Sequence, residues 1–162
     1  MNSPDARKAA QRYLCENRRA RRDYEILETY TAGLVLQGWE AKSARQGRVQ
    51  LGESYVSVVR GELFLRNSHF SPLSFVSTHF TPDPMRPRKL LMTAQEIRRL
   101  SGRAREAGLT VTPLNMHLSR GKIKLVIGLA RGKKQHDKRR AVQERDWRRQ
   151  QQRMLKSGRK KR

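Results

Sequence analysis

The chain has 162 residues, 36% of them hydrophobic, which suffices for one modest globular core with some chain left over. Its 37 Lys and Arg against 14 Asp and Glu give a formal charge of +23, so the natural partner is a polyanion, bound less tightly as salt rises. No apolar run approaches the ~18 residues of a spanning helix, the N-terminus lacks an apolar signal segment, and a single Cys15 excludes an internal disulfide framework and a cysteine-based zinc site.

A cytoplasmic protein with no membrane partner is therefore expected, and Cys15 reads as an unreactive thiol. The charge is unevenly placed. Residues 1–22 hold seven cations and two acids, Asp23 to Ala130 hold 15 and nine, and Arg131 to Arg162 hold 15 and three. The middle has the lowest charge density and most of the Val, Ile, Leu and Phe, so the core is expected there. The tail cannot bury itself.

In chain order, Tyr24 to Leu36 is rich in Tyr, Thr, Ile, Leu and Val and stops at Gly38, as a long bent strand would. Tyr55 to Arg60 and Glu62 to Arg66 read as two short strands turning at Gly61. Thr93-x-x-Glu96 is a capping box opening a helix with Ile97, Leu100, Ala104 and Ala107 on one face and Gly108 as its stop. Leu114, Met116 and Leu118 then alternate with Asn115, His117 and Ser119. Arg120-Gly121 turns the chain, and Ile123, Leu125, Ile127 and Leu129 alternate again, with Lys122 and Lys124 pointing the other way. His117 is expected to face the surface. Many short strands and few helices argue for a mainly β fold, an antiparallel barrel of oligonucleotide-binding type with a few short helices and a basic C-terminal tail.

Nothing in the sequence supports catalysis. His69, His79, His117 and His136 are scattered, no His-Glu-x-x-His or phosphate-loop pattern occurs, and the acids are spread out rather than clustered for a metal. No cofactor or metal is expected, and a nucleic-acid binder is favoured over an enzyme.

Asn17-Arg18-Arg19-Ala20-Arg21-Arg22-Asp23-Tyr24, Ala32 to Ser43, Asp83-Pro84-Met85-Arg86-Pro87-Arg88-Lys89-Leu90-Leu91 and Gly132-Lys133-Lys134-Gln135-His136-Asp137-Lys138-Arg139 closely resemble, in order and spacing, the SsrA-binding protein (small protein B) family. The resemblance implies an RNA adaptor of trans-translation. Such a protein binds the tRNA-like domain of transfer-messenger RNA (tmRNA) and helps deliver it to stalled 70S ribosomes, where the nascent peptide is tagged for proteolysis. Elongation factor Tu with GTP takes part in delivery, and alanyl-tRNA synthetase is reached only through the RNA. The family also implies a monomer. Residues 1–16 would then be a basic extension, 17–132 a small closed RNA-binding barrel, and 133–162 a tail disordered when free and helical on the ribosome. A constitutive basic ribosomal or general RNA-binding protein is the alternative.

By position, Asn17, Arg18, Arg19, Arg21, Lys42, Arg88, Lys89, Leu91, Lys124, Lys133 and Lys134 are similar to the family's RNA-facing set. His136, Asp137, Lys138 and Arg139 match its signature at the decoding centre of the small subunit. Guanidinium and ammonium groups suit phosphates, an imidazole can stack on an unpaired base, and Asn17 suits a base edge or sugar. In the tail, Trp147 with Met154 and Leu155 forms a weak helical stripe that suits ribosomal docking better than a core. The chain departs from the family pattern at Arg22, where histidine is frequent, at Thr31, where glutamate is common, and at Ala41 and Ala44, which replace bulkier apolar residues.

Overall fold

A computed structural model describes residues 12–74, 79–133 and 135–158, and side chains within the last helix only for residues 142–154. In chain order the elements are β1 (Arg12–Glu16), α1 (Arg18–Asp23), β2 (Tyr24–Leu34), α2 (Gly38–Arg45), β3 (Val49–Gln50), β4 (Tyr55–Val59), β5 (Glu62–Arg66), β6 (His69–Phe70), β7 (Arg88–Leu91), α3 (Ala94–Ala104), β8 (Leu109–Ser119), β9 (Lys122–Gly132) and α4 (Gln135–Gly158). Seven strands form one antiparallel sheet in the order β1-β8-β9-β2-β7-β5-β4, and β3 pairs with β6 in a small second sheet.

The closed barrel of oligonucleotide-binding type does not form: the sheet is open. It curls until β4 approaches β8, but no ladder joins them. The free edge of β8 is taken over Asn115–Leu118 by β1. Farther down β8, a groove lined by Val56, Val58, Thr110 and Val111 lies in the seam. Alternation reports that one face is apolar; it does not report whether the two edge strands meet.

Both hairpins form as their patterns require. Each turns through an Arg-Gly pair with two positive φ angles, 50° and 75° at Arg60-Gly61 and 49° and 75° at Arg120-Gly121, the backbone of a tight hairpin turn. Thr93 caps α3 by accepting from Glu96 N, but the helix ends at Ala104, and a short turn reaches Gly108 at φ +79°. β8 starts at Leu109, five residues before its visible alternation, because a bulge between Pro113 and Asn115 shifts the register there. The bulge lets Val111 and Met116, at odd spacing, reach the same core as Leu125, Ile127 and Leu129.

The core is closed on one side by an ionic cluster. Glu40 of α2 is fully buried and accepts from Arg88 Nε at 2.8 Å, from Arg86 at 2.6 and 3.2 Å, and from the Gln37 backbone N–H at 2.7 Å. Arg88, also fully buried, donates to Ser68 O and Oγ, Arg86 O and Pro84 O, and its guanidinium lies 3.8 Å from the Phe70 ring centroid. This overturns the expectation that Arg88 faces RNA: every nitrogen of its guanidinium is spent inside the protein. Arg88 is on the core face because Leu90, two residues on in β7, is there too.

The tail is placed in one helix over Gln135–Gly158. Its Arg, Gln, Glu, Lys and Ala residues are strong helix formers, and Glu144 stands four residues before Arg148 in the favourable orientation.

Arg88→Met, which leaves Glu40 with less than its full set of donors, is expected to cost about 3–5 kcal/mol, whereas Lys89→Met, which breaks the exposed pair with Glu62, should cost under about 1 kcal/mol. Urea unfolding measures both. Arg88→Met of unchanged stability would contradict the internal role.

Candidate nucleic-acid interface

Asn17 positions the most basic short segment of the described chain. It is 3% exposed. Its backbone N–H donates to Leu114 O at 2.7 Å, its Nδ2 to Leu51 O and Pro113 O at 3.0 and 2.9 Å, and its Oδ1 accepts from Ala20 N to cap α1. The amide is therefore a bolt between α1, the end of β3 and β8, with no donor left for a base edge. What it fixes in place is α1, whose Arg18, Arg19, Arg21 and Arg22 are all exposed.

Sequence-distant groups join them. Lys133 donates its backbone N–H to Asp23 O at 2.9 Å and its Nζ to Arg21 O at 3.4 Å, placing a cation where the helix carbonyls of α1 end. α4 begins beside α1. Arg18 and Arg21 lie 4.0 and 3.4 Å from Glu16, and Arg19 pairs with Glu53 and Asp23, so these guanidiniums are oriented but still half or more exposed. Exposed pairs of this kind exchange readily for phosphate.

A second group lies across the sheet. Gly33 is paired with Leu91 on one side and Lys124 on the other, and a Cβ at Gly33 would meet Leu91 Cβ at 3.3 Å and Lys124 Nζ at 3.7 Å. Leu91 is 51% exposed, so it belongs to a surface rather than the core. Lys124 pairs with His117 in β8, and His117 with Tyr13 in β1, their rings 6.4 Å apart. The register thus places Tyr13, His117, Lys124, Gly33 and Leu91 in one row across five strands. Gly33 keeps the row flat between an apolar and a cationic side chain.

His117 does not face the solvent as the alternation suggested. It points away from the core, but it is 3% exposed, and its Nδ1 has no hydrogen-bond partner, nor does Oδ1 of buried Asn115. Burial, assisted by the charge of Lys124, holds its imidazole below the ordinary value of 6.5. Cys15 in β1 is lifted by burial to about 11, so its thiol stays protonated.

Among the other expected contacts, Lys42 is exposed on α2, and Lys89 is half-buried and tied to Glu62 at 2.6 Å. Trp147 and Met154 stand 60% and 67% exposed on α4, away from any core. Lys134 lies outside the described residues, as do the side chains of His136, Asp137, Lys138, Arg139 and Leu155. Thr31 is exposed, paired with Val126 beside this row. Among the described residues no group of three or more His, Cys, Asp or Glu is placed to hold a metal, and no helix is long and apolar enough to cross a membrane.

Asn17→Ala is expected to cost about 2 kcal/mol, from the lost cap and the lost amide bonds to Pro113 O and to Leu51 O, of which Leu51 O keeps Ser54 as a donor, with a matching fall in the urea midpoint. For His117 the folded value lies below the unfolded one, so below pH 6.5 the unfolded chain binds a proton that the folded chain refuses. Stability should therefore fall as pH drops from about 6.5 toward 5, and His117→Gln should flatten that part of the curve of urea midpoint against pH.

The comparisons with known proteins agree with this geometry. A family model described as SmpB protein matches residues 14–157. The SsrA-binding protein of Thiobacillus denitrificans is 54% identical over 144 residues, 89% of this chain and 97% of its own; that of Nitrosomonas europaea is 53% identical over 142 residues, 88% and 94%. A chain from a solved structure described as "tmRNA-SmpB: a journey to the center of the bacterial ribosome" superposes with a TM-score of 0.63 at 46% identity, covering 79% of this chain and 93% of that one. With residues 14–157 matched and relatives more than half identical over nearly their whole length, the chain belongs to the SmpB family of SsrA-binding proteins.

Proposed function

We propose that this protein is the tmRNA-binding adaptor of trans-translation, acting by binding and placement rather than by catalysis. The observation that carries the reading is the convergence of Arg18, Arg19, Arg21, Arg22 and Lys133 around α1, a cluster that the Asn17 bolt holds rigid. Cations fixed on a scaffold bind phosphates without the ordering cost that flexible ones incur.

The domain of residues 17–132 grips the tRNA-like part of tmRNA. Its α1 cluster takes backbone phosphates, while Lys124 and Leu91 give a second, mixed contact beyond Gly33. Lys42 and Lys89 supply further phosphate contacts at the periphery. Arg88 and Asn17 act from behind: Arg88 holds the strand that carries Lys89 and Leu91, and Asn17 holds α1. The tail from Lys133 onward enters the small-subunit decoding centre and mRNA channel of the stalled 70S ribosome. There the basic helix is neutralised by ribosomal RNA, with His136 to Arg139 at the decoding site and Trp147 and Met154 as apolar anchors along it. Elongation factor Tu with GTP and alanyl-tRNA synthetase act on the same RNA without touching this chain.

The test is competition between tmRNA and bulk tRNA at moderate salt, for the full chain and for a chain truncated after Lys134. Both should prefer tmRNA, and Leu91→Ala should weaken tmRNA binding without moving the unfolding midpoint. Equal affinity for the two RNAs would reduce the protein to a nonspecific polycation. Constitutive, tmRNA-independent co-sedimentation with ribosomes would make it a ribosomal protein instead.

A further inference from the structure

The open seam of the sheet holds a second basic feature, well apart in sequence from the α1 cluster. Between α3 and the β4–β5 hairpin runs an apolar groove of about 550 Å³, with Val58, Ile97 and Ala94 in its lining and Arg98 and Arg105 along it. It continues along the seam past Arg60, Val111 and Thr110, sharing Val58, Gly61, Ser101 and Arg105 with its neighbour. No Asp or Glu lines either part.

Four local features along this groove work against stability. Arg60 occupies a left-handed backbone conformation at φ 50°, which Asn tolerates better; the chain itself uses Asn67 at φ 57°. Gly102 sits inside the last turn of α3, where glycine is a poor helix former, although nothing lies within 4 Å of the place a Cβ would take. The arginines of α3 also divide. Arg99 and Arg103 pair with Glu28 at 3.5 and 2.8 Å, whereas neither Arg98 nor Arg105, nor Arg60 opposite, makes an ion pair among the described residues. Ser101 Oγ, on the groove wall, is buried without a partner.

We propose that this groove is a second RNA-binding site, taking a short single-stranded segment with phosphates on Arg60, Arg98 and Arg105 and a base against Val58 and Ile97. Charge complementarity selects the occupant: three unneutralised guanidiniums around an apolar slot match an unpaired nucleotide, whose charge lies on its backbone and whose base is flat and weakly polar. Gly102 lets the strand approach the helix backbone. The site rests on the proposed role as an RNA adaptor, and it deepens that role by adding a contact away from α1.

The test uses the full chain and a 4-thiouridine-containing single-stranded oligonucleotide, photo-crosslinked and mapped by mass spectrometry. Crosslinks are expected in residues 55–61 and 94–105. Gly102→Leu, which fills the slot without changing charge, should remove these crosslinks while leaving those in the tail, and should raise the thermal midpoint by about 2–4 °C. Arg60→Asn should likewise stabilise yet weaken binding. Arg98→Gln with Arg105→Gln should lower the slope of log affinity against log salt by roughly 0.7 per arginine. A parallel loss of affinity for isolated tmRNA identifies the strand as part of that RNA; a loss only for stalled ribosomes identifies it as ribosomal. Crosslinks confined to α1 and the tail, or unchanged by Gly102→Leu, overturn the site. Failure of the unsubstituted chain to prefer tmRNA over tRNA overturns the adaptor reading and leaves the crosslink result standing by itself.

Discussion

Glu40 is a buried carboxylate with four hydrogen bonds from three residues, and the placement of the functional surface depends on it. It caps its own helix through Gln37, holds the chain before β7 through Arg86, and locks β7 through Arg88. A charge this deep would be very costly alone; with two guanidiniums and a backbone N–H it is satisfied, and so is Arg88, which could not be neutralised by losing its proton. The register of β7 follows. With Arg88 and Leu90 facing inward, Lys89 and Leu91 must face out, and Leu91 falls beside Gly33 and Lys124.

Asn17 plays the corresponding part at the other cluster. Both are polar residues in a motif rich in cations, and both serve the neighbouring cations rather than the ligand. A polar side chain that spends all its donors internally cannot also read RNA, so its loss would show first as a loss of stability. The basic residues that remain outside, on α1, at Lys124 and along the seam, are held by a scaffold whose own interior charges are paired. This separation allows a chain of net charge +23 to keep a compact core.

Much of this was legible beforehand, because period-two alternation and a capping box are local signals. β2, β4, β5, β9 and the later half of β8 follow the apolar pattern, and α3 starts at Thr93 as its box requires. The family resemblance supplied the functional reading. Other features depended on partners far away in sequence. β1, β3, β6 and β7 are two to five residues long and exist only because a neighbouring strand accepts them. Closure of the sheet was expected and does not occur, since pairing of edges is not written in any one segment. His117 lies on the polar side of its strand as the alternation says, yet the strand is covered on both sides, which alternation cannot report. Two signals were available and unused: Arg88 shares parity with Leu90, and Asn17 directly precedes a short helical run as an N-cap does.

The central claim is that this chain places tmRNA on stalled ribosomes. A reconstituted translation system programmed with a message lacking a stop codon tests it most directly, with tmRNA and this protein added separately and together. The account predicts tagged nascent peptide only when both are present, and loss of tagging when the chain is truncated after Lys134. Tagging without the protein, or none with both, would contradict it.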